Sequence, residues 1–295
     1  MLHLFSGRKV IAFISALIVL CGVIVFLTLH TKKIEPEPHH NTIITPTTTK
    51  ETIGFSVEGR AIEAFTYGNG PALLLFVGGI HGGYEWNSVL LAYEIMQYLQ
   101  KNPSVIPNSV SVAIIPSINP DGIFSVTKKE GSFTSTDVSP DTKTKELARF
   151  NARGVDLNRN FDCKWKPKST WRGTPVSAGT APFSEPETEA LREYIKKHEP
   201  ATVVFWHSQA NAVYASECEN GILPQTRAVM NEYAGASGYT AVDTFDAYEI
   251  SGDAEGWLSS IGIPAITVEL SSHESIDLER NISGVLSLMQ MYSHQ

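Results

Sequence analysis

The sequence predicts an α/β fold: a three-layer α/β/α sandwich around a central mixed, largely parallel sheet, preceded by one N-terminal transmembrane helix. Three observations predict it. Apolar runs of strand length at 72–77, 110–115, 201–206 and 263–268 alternate with helical patterns at 86–100, 185–198, 223–237 and 278–292. Strands alternating with helices imply a sheet covered on both faces. The chain has 295 residues and is 42% hydrophobic, enough for one large domain with a buried core. Residues 10–29 form an uncharged run of 20 residues, the length of a bilayer-spanning helix.

Residues 1–9 read as a short tail and 10–29 as a membrane anchor. A cleaved signal peptide is the alternative, but Leu27-Thr28-Leu29-His30 lacks the small residues of a cleavage site, and Leu20 is bulky ahead of Cys21. Arg8 and Lys9 precede the run and Lys32 and Lys33 follow it, so charge leaves the orientation open. A short tail ahead of a large C-terminal domain points to export. The expected location is therefore the cell membrane, single-pass, with the domain outside the cytoplasm.

Residues 30–50 are rich in Thr and Pro and read as a solvated linker, with His39-His40 as spacer. Residues 51–295 form the folded domain. Within it, Ser184-Glu185-Pro186-Glu187 is a helix start with a capping serine and a proline in the first turn. The polar stretch 127–145 reads as a surface excursion. The domain carries 18 basic and 29 acidic side chains, a net charge near −11, which argues against a nucleic-acid partner. Besides Cys21 the cysteines are Cys163 and Cys218. In an exported domain they could form a bridge; two buried thiols are the other reading.

The most informative motif is His81-Gly82-Gly83-Tyr84-Glu85, which follows the strand at 72–77 through Gly78 and Gly79. His207 ends the strand at 201–206. Two histidines and one carboxylate delivered from strand ends match a catalytic zinc with one open position. Ligands in such sheets gather at the carboxyl ends of strands. Glu269, in Ile266-Thr267-Val268-Glu269-Leu270, places another carboxylate at the end of an apolar run. Asn119-Pro120-Asp121-Gly122 and the segment from Arg149 through Asp156-Leu157-Asn158-Arg159 follow in between.

In this order the pieces resemble a zinc metallocarboxypeptidase of the carboxypeptidase A/B-like superfamily, in a bacterial-type membrane-anchored form. The resemblance spans about residues 51 to 292. It implies one Zn²⁺ per chain on His81, Glu85 and His207, with Glu269 as general base. It further implies that Arg149 stabilises the oxyanion and that Asn158 and Arg159 clamp the free carboxylate of the substrate. Tyr248 resembles the tyrosine that closes over the substrate terminus; an ordinary surface tyrosine is the other reading. Glu255, with Asp253 behind it, falls where the family tunes side-chain preference. An acid there favours a cationic or diamino terminal residue, unless it is a solvated loop acid. Arg153 and Arg172 read as surface or pocket-rim arginines.

One departure stands out. The usual motif has its carboxylate three residues after the first histidine, whereas Glu85 comes four after His81. Gly82-Gly83 gives the loop freedom to absorb the extra residue. The implied function is hydrolysis of the C-terminal peptide bond. Alternatives within the fold are a muropeptide hydrolase of the γ-D-glutamyl–diaminopimelate type and an acyl-amino-acid deacylase. The expected partners are a peptide or muropeptide substrate and the membrane. A binding module on a dead scaffold would lack a ligand or the base, and no Gly-x-Ser-x-Gly elbow points to a serine hydrolase.

Overall fold

A central sheet buried on both faces organises the molecule. The computed structural model describes residues 48–245 and 248–294. The first half contains strands β1 (Thr49–Phe55), β2 (Ala61–Gly68) and β3 (Ala72–Val77), helix α1 (Trp86–Lys101), β4 (Val110–Ile115), α2 (Pro120–Thr127) and α3 (Thr142–Leu147). Then come β5 (Lys168–Trp171), β6 (Thr174–Ser177), α4 (Pro186–His198), β7 (Thr202–Ser208) and β8 (Ala212–Ala215). The chain closes with α5 (Pro224–Ser237), β9 (Thr240–Val242), α6 (Ala254–Ser260), β10 (Ala265–Leu270) and α7 (Leu278–Ser293).

Eight strands make one sheet in the order β1-β2-β4-β3-β7-β10-β8-β9. Its centre, β4-β3-β7-β10, is parallel throughout. The β1/β2, β2/β4 and β8/β10 pairs are antiparallel, so the sheet is mixed. In β3, Leu74 and Phe76 face one way, packing with Leu91 of α1, Val229 and Tyr233 of α5, and Leu288 of α7. Leu75 and Val77 face the other way, toward Leu191 and Ile195 of α4 and Leu258 of α6. Burying each such side chain contributes on the order of 1.5–3 kcal/mol, which is why the central strands read as continuous apolar runs.

Two expected strands shift in a way that matters. The runs at 201–206 and 263–268 pair two residues further on, and the ladder continues through His207↔Glu269 and Ser208↔Leu270. Both polar residues are therefore held by backbone pairing inside the sheet rather than in the loops beyond it. The tail, the anchor run at 10–29 and the linker up to residue 47 lie outside the described residues. Strand β1 begins at Thr49. Among the described residues no helix is long and apolar enough to cross a membrane.

Candidate active site and metal centre

All nine expected site residues line one cavity of about 500 Å³ at the carboxyl ends of β3, β7 and β10. Three of them converge. Donor atoms of His81, Glu85 and His207 lie within 4.8 Å of one another, and all three residues are buried. The four-residue spacing works because Gly82–Glu85 forms a single 3-10 turn and Glu85 itself breaks from helical geometry (φ −116°, ψ 44°) before α1 begins. Gly82 holds φ +45°, and a Cβ there would meet Ala148 O at 2.4 Å. The turn thus needs glycine on both conformational and steric grounds. Gly83 N donates to the same carbonyl at 3.1 Å.

The electrostatics fit a cation at this point. Burial, with the Arg149 charge behind it, holds the His81 imidazole well below its usual pKa, so it is a neutral donor. Its Nδ1 is buried without a hydrogen-bond partner among the described residues. Burial also disfavours charge on His207, but Glu255 and Glu85 outweigh it and hold that imidazole well above its usual pKa. Glu85 Oε2 lies 3.2 Å from His207 Nδ1, and Glu255 Oε1 lies 3.2 Å from Nε2, too oblique for a hydrogen bond. Negative charge from Glu85 and Glu255 is thus concentrated around one imidazole. The nitrogen and oxygen donor set suits zinc.

Glu269 stands beside His207 on β10 as its register partner. Its Oε2 accepts from Ala210 N at 3.2 Å. Burial, aided by the Glu85 charge, pushes its pKa up to about 7. Glu255, expected as an acid at the pocket floor, does line the cavity. Its Oε1, however, accepts from Thr267 Oγ1 at 2.9 Å as well as facing His207. Thr267 lies two residues before Glu269 on β10, so the sheet itself brings this partner to Glu255. Asp253 caps α6 by accepting from Gly256 N at 2.7 Å; burial and the Glu255 charge push it up to about 6.

The arginines are fixed from behind. Asp156 is fully buried. Its Oδ2 accepts from Arg149 Nε at 2.9 Å, and its Oδ1 accepts from Asn158 N at 3.2 Å and lies 3.5 Å from His81 Nδ1. One carboxylate therefore positions three expected site residues. Asn158 Oδ1 accepts from Ala254 N at 2.9 Å, tying the 3-10 turn Leu157–Arg159 to α6. Asn119, read as part of a motif, is the N-cap of α2: its Oδ1 accepts from Gly122 N at 2.9 Å and its Nδ2 donates to Phe150 O at 3.2 Å. Arg159 is 2% exposed, forms no ion pair among the described residues, and has an unpartnered Nε. Arg153, itself exposed, instead reaches the buried Glu185. Tyr248 is half-buried on the cavity wall, its ring edge-on to Phe245 at 4.8 Å.

Sequence reasoning gave no role to Asp156, Ser208, His273 or Trp171, and it read Arg172 as a surface or pocket-rim arginine, which is where the structure places it. Asp156 was legible in principle, as an acid flanked by Val155 and Leu157. Ser208 N donates to Glu85 Oε2 at 3.2 Å, and Ser208 Oγ meets His273 Nδ1 at 2.8 Å, linking the metal loop to the segment after β10. Nothing in the sequence around His273 signals this. The β5–β6 hairpin brings Trp171 and Arg172 to the cavity wall. Its strands are short and polar, with no pattern to reveal them.

Cys163 and Cys218 are bonded, with Cα atoms 5.8 Å apart and a sequence separation of 55. Cys163 O accepts from Gly252 N at 2.7 Å, so the bridge anchors the segment that leads to Asp253 and Glu255. Closing a loop of that length stabilises the chain by about 4 kcal/mol in the chain-entropy account. Replacing both cysteines by serine should lower the melting temperature by several degrees in calorimetry; an unchanged transition would remove this role.

A mixed sheet with helices on both faces, and an open three-donor site at its strand ends, define an α/β metallohydrolase. The chain belongs to the zinc carboxypeptidase family, whose profile matches residues 45–284. It is 25% identical over 248 residues to the γ-D-glutamyl-L-diamino acid endopeptidase 1 of Lysinibacillus sphaericus, covering 75% of this chain and 60% of that protein. The chain thus spans about three fifths of the length of that relative. The solved murein-tripeptide amidase of Escherichia coli O157 superposes with a TM-score of 0.58 at 24% identity, over 83% of this chain and 91% of that one. Bovine thrombin-activatable fibrinolysis inhibitor superposes with a TM-score of 0.65 at 20% identity, over 84% and 90% of the two chains. These two likenesses are of fold.

Proposed function

We propose that the protein is a zinc-dependent metallocarboxypeptidase that hydrolyses the amide bond before a free terminal carboxylate, with preference for a basic or diamino terminal residue. The observation that carries this is Arg159. A buried guanidinium without a carboxylate partner is costly, and this one lines the cavity that holds the three donors. A substrate carboxylate would supply the missing partner, in the fork geometry that guanidinium favours.

His81, Glu85 and His207 would hold Zn²⁺, which when bound polarises the scissile carbonyl and acidifies water. Glu269 accepts the water proton and returns it to the leaving amine, a role suited to a carboxyl whose pKa burial has pushed up to about 7. Arg149, held by Asp156, faces the developing oxyanion. Asn158 supports Arg159, and Tyr248 covers the terminal residue. Asp253 and Glu255 lend negative potential to the pocket and favour a cationic side chain. The same acids favour a second substrate reading, the γ-D-glutamyl–diamino acid bond of a cell-wall peptide. The run at 10–29 would hold the domain at the outer side of the membrane, within reach of either substrate.

The test is hydrolysis by the zinc-loaded full chain of peptides ending in Lys, Arg or a diamino acid, each with a free and an amidated terminus. Amidation should lower kcat/KM by about 100-fold, the scale of a lost charge-assisted pair. Equal rates on free and amidated termini would sink the reading.

A further inference from the structure

Residues 169–172 lead up to the cavity wall, where Trp171 and Arg172 line it, and each touches a different neighbour of the site. Ser169 Oγ lies 3.0 Å from Ser251 Oγ. Thr170 O accepts from Arg159 Nη2 at 3.4 Å. The Trp171 ring lies 4.6 Å from the Arg149 guanidinium and edge-on to Tyr84 at 5.0 Å. The Arg172 guanidinium lies 5.8 Å from the Tyr84 ring and 5.5 Å from the Trp171 ring. An extended chain advances about 3.3 Å per residue, so Arg172 stands about 7 Å beyond Thr170. The strand is a ruler from the clamp at Arg159, past Arg149, to Arg172. A substrate with its terminal carboxylate on Arg159 and its scissile carbonyl at Arg149 has to lay its acyl-side residue along Trp171 and Arg172.

Arg172 is equipped to meet a charge there. It is exposed at the cavity wall and makes no ion pair among the described residues. Arg149, by contrast, is already committed to Asp156. Arg172 also sits where turn chemistry does not favour it. The hairpin turn has φ +50° at Arg172 and +76° at Gly173. Two-residue turns with positive φ at both positions favour Asn-Gly or Asp-Gly. An arginine there works against local propensity while placing a cation over two aromatic rings at the cavity mouth.

We propose that Arg172 is the acyl-side specificity residue, and that it takes a carboxylate carried by the residue that donates the scissile carbonyl. In an α-linked peptide that residue spends its α-carboxyl on the scissile bond. In a γ-linked glutamyl residue the α-carboxylate stays free, a short aliphatic arm away from the carbonyl under attack. That donor is the one in the second substrate reading above, and Arg172 is the residue that would recognise its free α-carboxylate. This rests on the reading that the site cuts before a free terminal carboxylate, and it names the other half of that substrate.

The experiment compares N-acylated γ-D-glutamyl-lysine with its α-carboxamide and with the α-linked glutamyl isomer, using the full zinc-loaded chain. Hydrolysis is read as kcat/KM. Binding is read by calorimetry in a Glu269→Gln background, so the comparison does not depend on turnover. The free acid should exceed the amide about tenfold in both readouts, the scale of one charge-assisted hydrogen bond. Arg172→Ala should bring that ratio close to one, and Arg172→Lys should restore part of it. A ratio near one in the parent, or an unchanged ratio in Arg172→Ala, would overturn the assignment. The same preference in the α-linked isomer would overturn the γ-linkage. If none of the peptides is hydrolysed, the hydrolase reading fails, while the binding ratio still decides the role of Arg172.

Discussion

Replacing Glu269 with glutamine should lower kcat by about 10²- to 10⁴-fold, the usual contribution of a positioned general base, and leave metal content unchanged. Glutamine keeps the shape and keeps an oxygen to accept from Ala210 N. It removes the one property the mechanism needs, the capacity to take and return a proton. Glu269 is not among the three converging donors, so the ion should stay. Turnover on a basic-terminus peptide and elemental analysis of the same sample check both halves. Residual activity above about a tenth of the parent would assign the base elsewhere.

Glu85→Ala should act the other way round, through the metal. It removes one of three donors, leaves Ser208 N without its acceptor, and takes away a charge facing both His207 and Arg149. Loss of a residue behind the ligands typically costs 10- to 100-fold in metal affinity, so losing a ligand should exceed about 100-fold. Zinc competition against a chromophoric chelator measures it. Glu85→Gln, which keeps an acceptor for Ser208 N, serves as the folding control. Parent-like affinity in both variants would mean that another side chain completes the site, and that the unusual spacing after His81 marks a different arrangement.

Much of this site was legible in the sequence because its main groups stand at the ends of buried strands. His207 and Glu269 interrupt apolar runs, and a charged group there is conspicuous. His81 follows such a run across two glycines. Glu85 was harder, since its reach depends on a 3-10 turn giving way to a helix, and no residue pattern announces that break. Strand β2 carries a short alternation, with Ile62 and Ala64 buried on one face and Tyr67 on the other, yet it borders a glycine-rich turn and was passed over. The hairpin of β5 and β6 had no such signal. Its residues gain order from what they touch: Ser251, 82 residues further on, and Arg159 and Arg149 upstream. Contacts of that kind carry no local signature.

The pairing of His207 with Glu269 across β7 and β10 has a consequence for where the molecule can change. Neighbouring strands are held about 4.8 Å apart by their backbone ladder. The proposed ligand and the proposed base thus inherit their spacing from the central sheet, the part of a fold expected to open last to solvent hydrogen exchange. The tip at Arg172 and Gly173 belongs to a two-stranded ribbon at the surface, which opens early. On the proposed roles, reactivity would be anchored in the sheet and the choice of acyl donor in the ribbon, which are expected to exchange slowest and fastest. If Arg172 has the proposed role, substitutions at the tip should change the preferred acyl donor while leaving the pairing of His207 with Glu269 in place.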